Sequence, residues 1–218
     1  MKFNLAILVQ HYPPLITGLV LTLVIALIAL SIGIVGGGLL CAARLSKQRA
    51  LNRLAYGFIV FFRVTPEMIL IFWAYYCVPL VFGLRVSGLW AGSVTLGLVA
   101  AAYLAEIFRA GILALPRGQT EAAWSLGMRG AALWRFVVLP QALRLMVPAF
   151  MNYFTELMKN TTLLSAIGVG ELALQAYLLG GQTYRYLEFL SAIALVYFLL
   201  IFPFSLASRR LEHRAEAH

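Results

Sequence analysis

Leu15-Ile16-Thr17-Gly18-Leu19-Val20-Leu21-Thr22-Leu23-Val24-Ile25-Ala26-Leu27-Ile28-Ala29-Leu30 opens a run that continues to Ala43 without a charged residue. About 20 apolar residues are enough to cross the hydrocarbon core of a bilayer, so this run spans it with length to spare. It exceeds the apolar core of a signal peptide and has no basic leader beyond Lys2, which makes it a retained span. Arg44, Lys47, Arg49 and Arg53 follow at once. Basic residues of this density mark the cytoplasmic end of a span.

The composition agrees with that reading. The chain has 218 residues, 62% hydrophobic and 11% charged, and a mean hydropathy of +0.90. An ordinary soluble domain carries about a quarter charged residues, so a soluble enzyme is excluded. The 17 Lys and Arg against 8 Glu, with no Asp, leave a net charge of +9. In a soluble chain that excess would point to nucleic acid; among apolar spans it supplies cytoplasmic anchoring loops, and no nucleic-acid partner is expected. Cys41 and Cys77 lie in apolar runs and indicate neither a disulfide framework nor a metal site.

Four further apolar runs follow. The second, Leu54 to Phe82, is interrupted by Arg63, Thr65, Pro66 and Glu67; the third, Gly88 to Ala114, carries Glu106 and Arg109 near its end. Between them Gly83 to Ser87 holds only Arg85 and reads as an external loop. The fourth run starts near Pro148 and reaches about Leu164, then leads into a glycine-rich piece, Gly168 to Gly181, ending outside near Arg185. The fifth, Phe189 to Ala207, precedes Arg209, Arg210 and Arg214. The expected fold is therefore an all-α membrane protein of about five transmembrane helices, N-terminus outside and C-terminus inside. Residues 1–14 form an external interfacial segment, 15–208 the membrane domain and 209–218 a cytoplasmic tail. No tandem or inverted repeat is evident, and an odd number of spans in so short a chain suits half of a two-subunit pore.

The long internal loop, about 115–140, reads Glu121-Ala122-Ala123-Trp124-Ser125-Leu126-Gly127, nine residues, then Val137-Val138-Leu139-Pro140. A glutamate before small helix formers suits the first turn of a short helix. Gly127 permits a turn that a side chain would resist, and Leu139-Pro140 is expected to end the segment and redirect the chain. The product is a short exposed helix, shaped to enter a groove on another protein.

This loop resembles that of the permease subunits of bacterial ATP-binding-cassette importers, with Val137 where their pattern has isoleucine. The flanks Gly18 to Leu23, Phe62 to Pro66, Ala102 to Ile112, Pro116 to Gln119 and Lys159 to Leu163 are similar to runs in the polar amino acid uptake group. The likeness covers about residues 15 to 208. It implies a type I importer permease fold in the bacterial inner membrane and a second copy or a sister permease. It further implies cytoplasmic ATP-binding subunits that carry ATP and Mg, an external substrate-binding protein, and a polar amino acid as substrate. Glu121, Ala122, Ala123, Gly127, Leu139 and Pro140 would then couple the chain to the ATPase. The chain itself has no phosphate-binding string of the Gly, four residues, Gly-Lys-Ser/Thr type, no nucleophile triad and no catalytic carboxylate pair, so neither a cofactor nor catalysis is expected in it.

Ionisable groups at bilayer depth are functional candidates by default. Asn152, Glu156 and Lys159 are spaced to share one helix face; Glu156 either faces the path and attracts an ammonium or pairs with Lys159. Arg63 and Glu67 flank Thr65-Pro66, a site of opened helix, and read either as an ion pair beside a proline kink or, for Thr65 and Glu67, as path lining. Tyr103 lies one turn deeper than Glu106 and lines the path or packs. Glu106 and Arg109 are expected to tie their span to the internal loop. The small residues Gly33 to Gly38 are expected to let helices approach closely. Two other functions remain open on residues alone: an ion-coupled carrier or channel using the intramembrane glutamates, and a non-transporting scaffold or sensor.

Overall fold

The described residues, 6–216 of a computed structural model, are helical nearly throughout. A short helix α1 (Ala6–Gln10) is separated by His11 from α2 (Tyr12–Leu45). Pro13 in the first turn of α2 costs no hydrogen bond there. At 34 residues α2 is about 50 Å long, enough to cross a bilayer and project from it. Arg44 complements the carbonyl end of its last turn.

Helix α3 (Arg49–Val64) returns and stops at Thr65, whose extended backbone follows from the proline after it. The next segment comprises α4 (Glu67–Phe72), a π turn (Trp73–Cys77) and α5 (Val78–Phe82). It leaves at an angle of 104° to α3. Of the two expectations at Thr65-Pro66, an opened helix and a proline kink, the opened helix is the one present, because Thr65 and Pro66 both adopt extended ψ values and carry no helix across. Gly83, with φ +65, ends α5. The loop to Ser87 leads into α6 (Gly88–Leu113), where the Ser87 hydroxyl accepts from the Trp90 N–H.

Helices α2 and α6 form the centre of the bundle, and their glycines set the spacing. A Cβ on Gly33 would lie 2.6 Å from that of Ala100, and one on Gly37 would lie 2.9 Å from Leu104 Cβ and 3.1 Å from the Ala105 backbone nitrogen. Gly97 of α6 meets Ile32 in the same way, at 2.7 Å. The expected close approach through the Gly33–Gly38 stretch is therefore present, except that Gly38 faces open space. Ile25, Ala29, Leu96, Ala100 and Leu104 from this pair pack with Tyr153, Leu157 and Leu164 in the main core.

From Gly130, within the second half of the internal loop, α8 (Gly130–Leu133), a second π turn (Trp134–Val138) and α9 (Leu139–Asn160) run on as one helical rod. Pro140 does not end the segment, contrary to the sequence reading. In an α-helix its ring would clash with the carbonyl four residues back. Here the helix widens just before the proline, with the Leu139 N–H bonding the Trp134 carbonyl. The first π turn is built alike: the Val78 N–H bonds the Trp73 carbonyl and Pro79 follows. Trp-x5-Pro thus occurs twice in the sequence with the same local structure each time.

A 3-10 turn (Thr161–Ile167) and Gly168, with φ +77, connect α9 to α10 (Leu172–Thr183). Tyr184 takes the left-handed conformation, φ 55, before α11 (Tyr186–Glu216). Helix α11 continues through the expected tail as far as Glu216. Among the described residues four helical stretches are long and apolar enough to cross a membrane, and a fifth is formed if the bent α3–α5 pair counts as one span.

Candidate functional site

Two places in this fold gather the polar and surface features that the sequence singles out. The first is the internal loop. Its helix α7 (Arg117–Ser125) follows Pro116, so Glu121 sits in mid-helix rather than in the first turn. The reason is that Pro116 and Arg117 start the helix ahead of the glutamate. The chain leaves α7 through Gly127, φ +78, with the Gly127 N–H bonding Trp124 O and the Met128 N–H bonding Ala123 O. Those two bonds make a left-handed C-cap in which glycine avoids the Cβ penalty.

Ala123 is buried with Leu133 and Val138, against Leu115 and Met128 of the loop and Ile112 from the end of α6, in a small core apart from the main one. Glu121, Ala122, Gly127 and Pro140 are exposed, as are Leu139 at 45%, Trp124 at 55% and Leu126 at 81%. The motif therefore divides: Ala123 holds α7 in place, while Glu121, Ala122, Trp124 and Leu126 present a surface. Leu139 also lines a small cavity with Cys41, Phe108 and Trp134.

The second place is the break between α3 and α4. Glu67, the first residue of α4, lies near Glu156 of α9 and near the Asn160 side chain. Its Oε2 is shielded from solvent and has no hydrogen-bond partner among the described residues. Tyr153, on the turn of α9 before Glu156, is buried and close to both carboxylates. Its ring stacks on that of Tyr103, centroids 5.1 Å apart and planes at 21°. The Arg63 guanidinium sits over the Tyr103 ring at 5.0 Å.

Of the candidate path residues, Glu67, Tyr103 and Glu156 are therefore brought together. Asn152 shares with Glu156 and Lys159 an exposed face of α9. Thr65 lines an apolar cavity of about 480 Å³ with Phe61, Phe62, Trp73 and Trp90. The alternative of an Arg63–Glu67 ion pair is not realised: the chain breaks between them, and Arg63 is taken up by the aromatic ring. Glu106 does not tie α6 to the internal loop. It pairs with Arg109 at 2.7 Å and with Arg44 of α2 at 3.5 Å. Arg44 also bonds Asn52 of α3 and stacks on Tyr56, so this cluster joins α2, α3 and α6.

Tyr153 and Asn160 complete the cluster but were not among the sequence candidates. Tyr153 follows Asn152 and lies one helical turn before Leu157, so its place on the inner face of α9 was available from spacing. Chemically, two carboxylates held near each other repel, and a cationic group between them relieves that repulsion. Aromatic faces beside them add a favourable surface for the same cation.

A bundle of apolar spans, broken at a polar cluster and carrying a loop helix with exposed apolar side chains, is the architecture of a membrane permease subunit. Residues 34–217 match the family described as binding-protein-dependent transport system inner membrane component. The chain belongs to this family. It is 31% identical to the arginine transport system permease protein ArtQ of Bacillus subtilis (strain 168) over 218 residues, covering all of both chains. It is 35% identical over 215 residues, 98% of each, to the glutamine transport system permease protein GlnP of Escherichia coli (strain K12). A crystal structure of an amino acid ABC transporter with histidines superposes with a TM-score of 0.88 at 34% identity, covering 98% of this chain and all of that one. These relatives support an ATP-binding-cassette importer over an ion-coupled carrier or a channel.

Proposed function

We propose that the chain is the membrane-spanning subunit of an ATP-driven importer for polar amino acids, and that α7 docks on a cytoplasmic ATPase subunit. The observation that carries the docking is the division of labour in the loop. Ala123 anchors α7 on a small core shared with the end of α6 while Trp124 and Leu126 remain exposed. Apolar side chains held outward on a rigid helix are the usual form of a partner site. Gly127 and the Leu139–Pro140 step position the helix, and Glu121 and Ala122 form part of the contact.

The orientation follows from charge: Arg44 to Arg53, the α7 loop and Arg209 onward lie inside, and only Lys2, Arg85 and Arg185 of the basic residues lie outside. A second permease copy or a sister chain completes the pore, and an external binding protein delivers cargo. ATP and Mg belong to the ATPase partner. Inside the membrane Glu67 and Glu156 attract the ammonium of the cargo, with Tyr103 beside them; Asn152 extends the same path along α9, and Thr65 marks the break that opens it. Relatives named for arginine and for glutamine are both compatible with an ammonium site that reads the backbone of an amino acid.

The test separates docking from folding. Leu126→Asp and Glu121→Arg, both at exposed positions, are expected to abolish co-purification of the ATPase subunit and cargo-stimulated ATP hydrolysis while leaving membrane insertion and yield intact. Undiminished ATPase stimulation in Leu126→Asp would overturn the assignment.

A further inference from the structure

Toward the internal loop from the acidic cluster, a cleft of about 480 Å³ runs between α6 and α9, lined by Arg63, Tyr103, Glu106, Ala110, Gly111 and Ala149. It reaches Ala114, the residue just before the α7 loop. The small, exposed side chains of Ala110 and Ala149 leave it open, whereas Gly111 lets the Met146 side chain pack closely against α6. Tyr103 is common to this cleft and to the acidic cluster, since its ring also stacks on Tyr153.

The charge of the two regions is opposite. Around Tyr153 the carboxylates are Glu67 and Glu156, beside the Tyr103 phenol. In the cleft the one carboxylate, Glu106, is already held by Arg109 and Arg44. Arg63 has no acidic partner among the described ion pairs, and its guanidinium is held over the Tyr103 ring. A stacked guanidinium keeps its N–H edge for a planar acceptor, and a carboxylate fits that fork with two parallel hydrogen bonds.

We propose that this cleft is a second cargo station on the release side of the acidic cluster, in which Arg63 takes the α-carboxylate of an amino acid. The inference rests on the importer reading above. A zwitterion then meets negative charge first and positive charge second. The Tyr103–Tyr153 stack stands between the two regions, so that moving inward exchanges the partner of the ammonium for a partner of the carboxylate.

The experiment uses the full complex in nanodiscs, which expose both faces, with Cys41→Ala and Cys77→Ser as background and Ala149→Cys as reporter. The rate of maleimide modification at position 149 is read with L-arginine, with L-glutamine and with agmatine, which keeps the guanidinium and amine-bearing chain of arginine but lacks the carboxylate. Either amino acid is expected to slow labelling several-fold and agmatine is expected to leave it unchanged. Arg63→Gln should remove the protection and Arg63→Lys should restore part of it. Equal protection by agmatine, or protection that survives in Arg63→Gln, would overturn the proposal. Labelling requires neither ATP nor transport, whereas the importer reading is judged by ATP-driven uptake in the same background, so the two can fail separately.

Discussion

Glu171 is fully buried at the start of α10, and its replacement by alanine should be among the most damaging single changes in the bundle. Its carboxyl oxygens accept from the Ala173 N–H at 2.9 Å, the Leu174 N–H at 2.9 Å and the Tyr197 hydroxyl at 3.2 Å. The neighbouring Leu172 N–H is met from α2 by the Thr22 hydroxyl at 3.1 Å. Side chains from α2, α10 and α11 therefore meet at one capped helix end. Three bonds at about 1–3 kcal/mol each give a gross loss of about 3–9 kcal/mol. Removing the buried carboxyl also removes its desolvation cost, and loss of an ordinary single-bond cap costs about 0.5–2 kcal/mol, so the net expectation is about 2–4 kcal/mol. Glutamine offers one acceptor oxygen. Placed where Oε2 stood it keeps the Ala173 and Tyr197 bonds and sets its NH2 against the Leu174 N–H, for a cost of about 1–2 kcal/mol. The assay is SDS-driven unfolding of the purified chain in mixed micelles, followed by tryptophan fluorescence. The order wild type, Gln, Ala is the expected result. An alanine variant within about 0.5 kcal/mol of wild type, the range of ordinary surface changes, would refute the cap argument.

Three further outcomes follow from the packing and the site. Gly37→Val should separate α2 from α6 and cost about 1–3 kcal/mol in the same unfolding assay, whereas Gly38→Ala, whose Cβ meets nothing within 4 Å, should be neutral or slightly stabilising. Gly127→Ala, at φ +78, should cost about 1–2 kcal/mol locally and be seen as faster proteolysis of the α7 loop with the spans unchanged. Glu156→Gln should raise the cargo concentration needed for half-maximal uptake by proteoliposomes while leaving basal ATP hydrolysis at its wild-type rate; unaltered uptake would remove Glu156 from the path.

What could be read from the residues was whatever depends on local order along the chain. The run from Leu15 to Ala43, the glycines at 33 and 37 and the turn at Gly127 each declare themselves through composition or through a backbone need that one residue type meets. Pro140 misled because a proline ahead of an apolar run reads as a boundary, and only the widened turn before it shows how the helix continues. Arg63 and Glu67 are four residues apart and so suggested a pair on one helix, but the extended backbone at Thr65 and Pro66 sends them to different neighbours. Nothing in its glycine-rich stretch singles out Glu171, whose importance depends on Thr22, 150 positions from Leu172, and on Tyr197. Contacts of that separation leave no periodic trace. The same holds for Arg44 and Glu106, which meet across 62 positions.

The π turn at Trp134–Val138 has a consequence for helical phase. A π turn holds one residue more than the α-turn it replaces, and each residue of an α-helix advances the rotation by about 100°. Every side chain of α9 therefore points about 100° away from where an unbroken helix from Gly130 would aim it. The face carrying Asn152, Glu156 and Lys159 is aligned by a single extra residue near the α7 loop. Deleting one residue between Trp134 and Val138 would keep the composition, the hydropathy and the motif glutamate, yet swing that face out of register with Glu67. Conversely, if the bulge migrates along the rod, the residues it passes turn in succession, so a small axial push at α7 becomes a rotation at the acidic cluster.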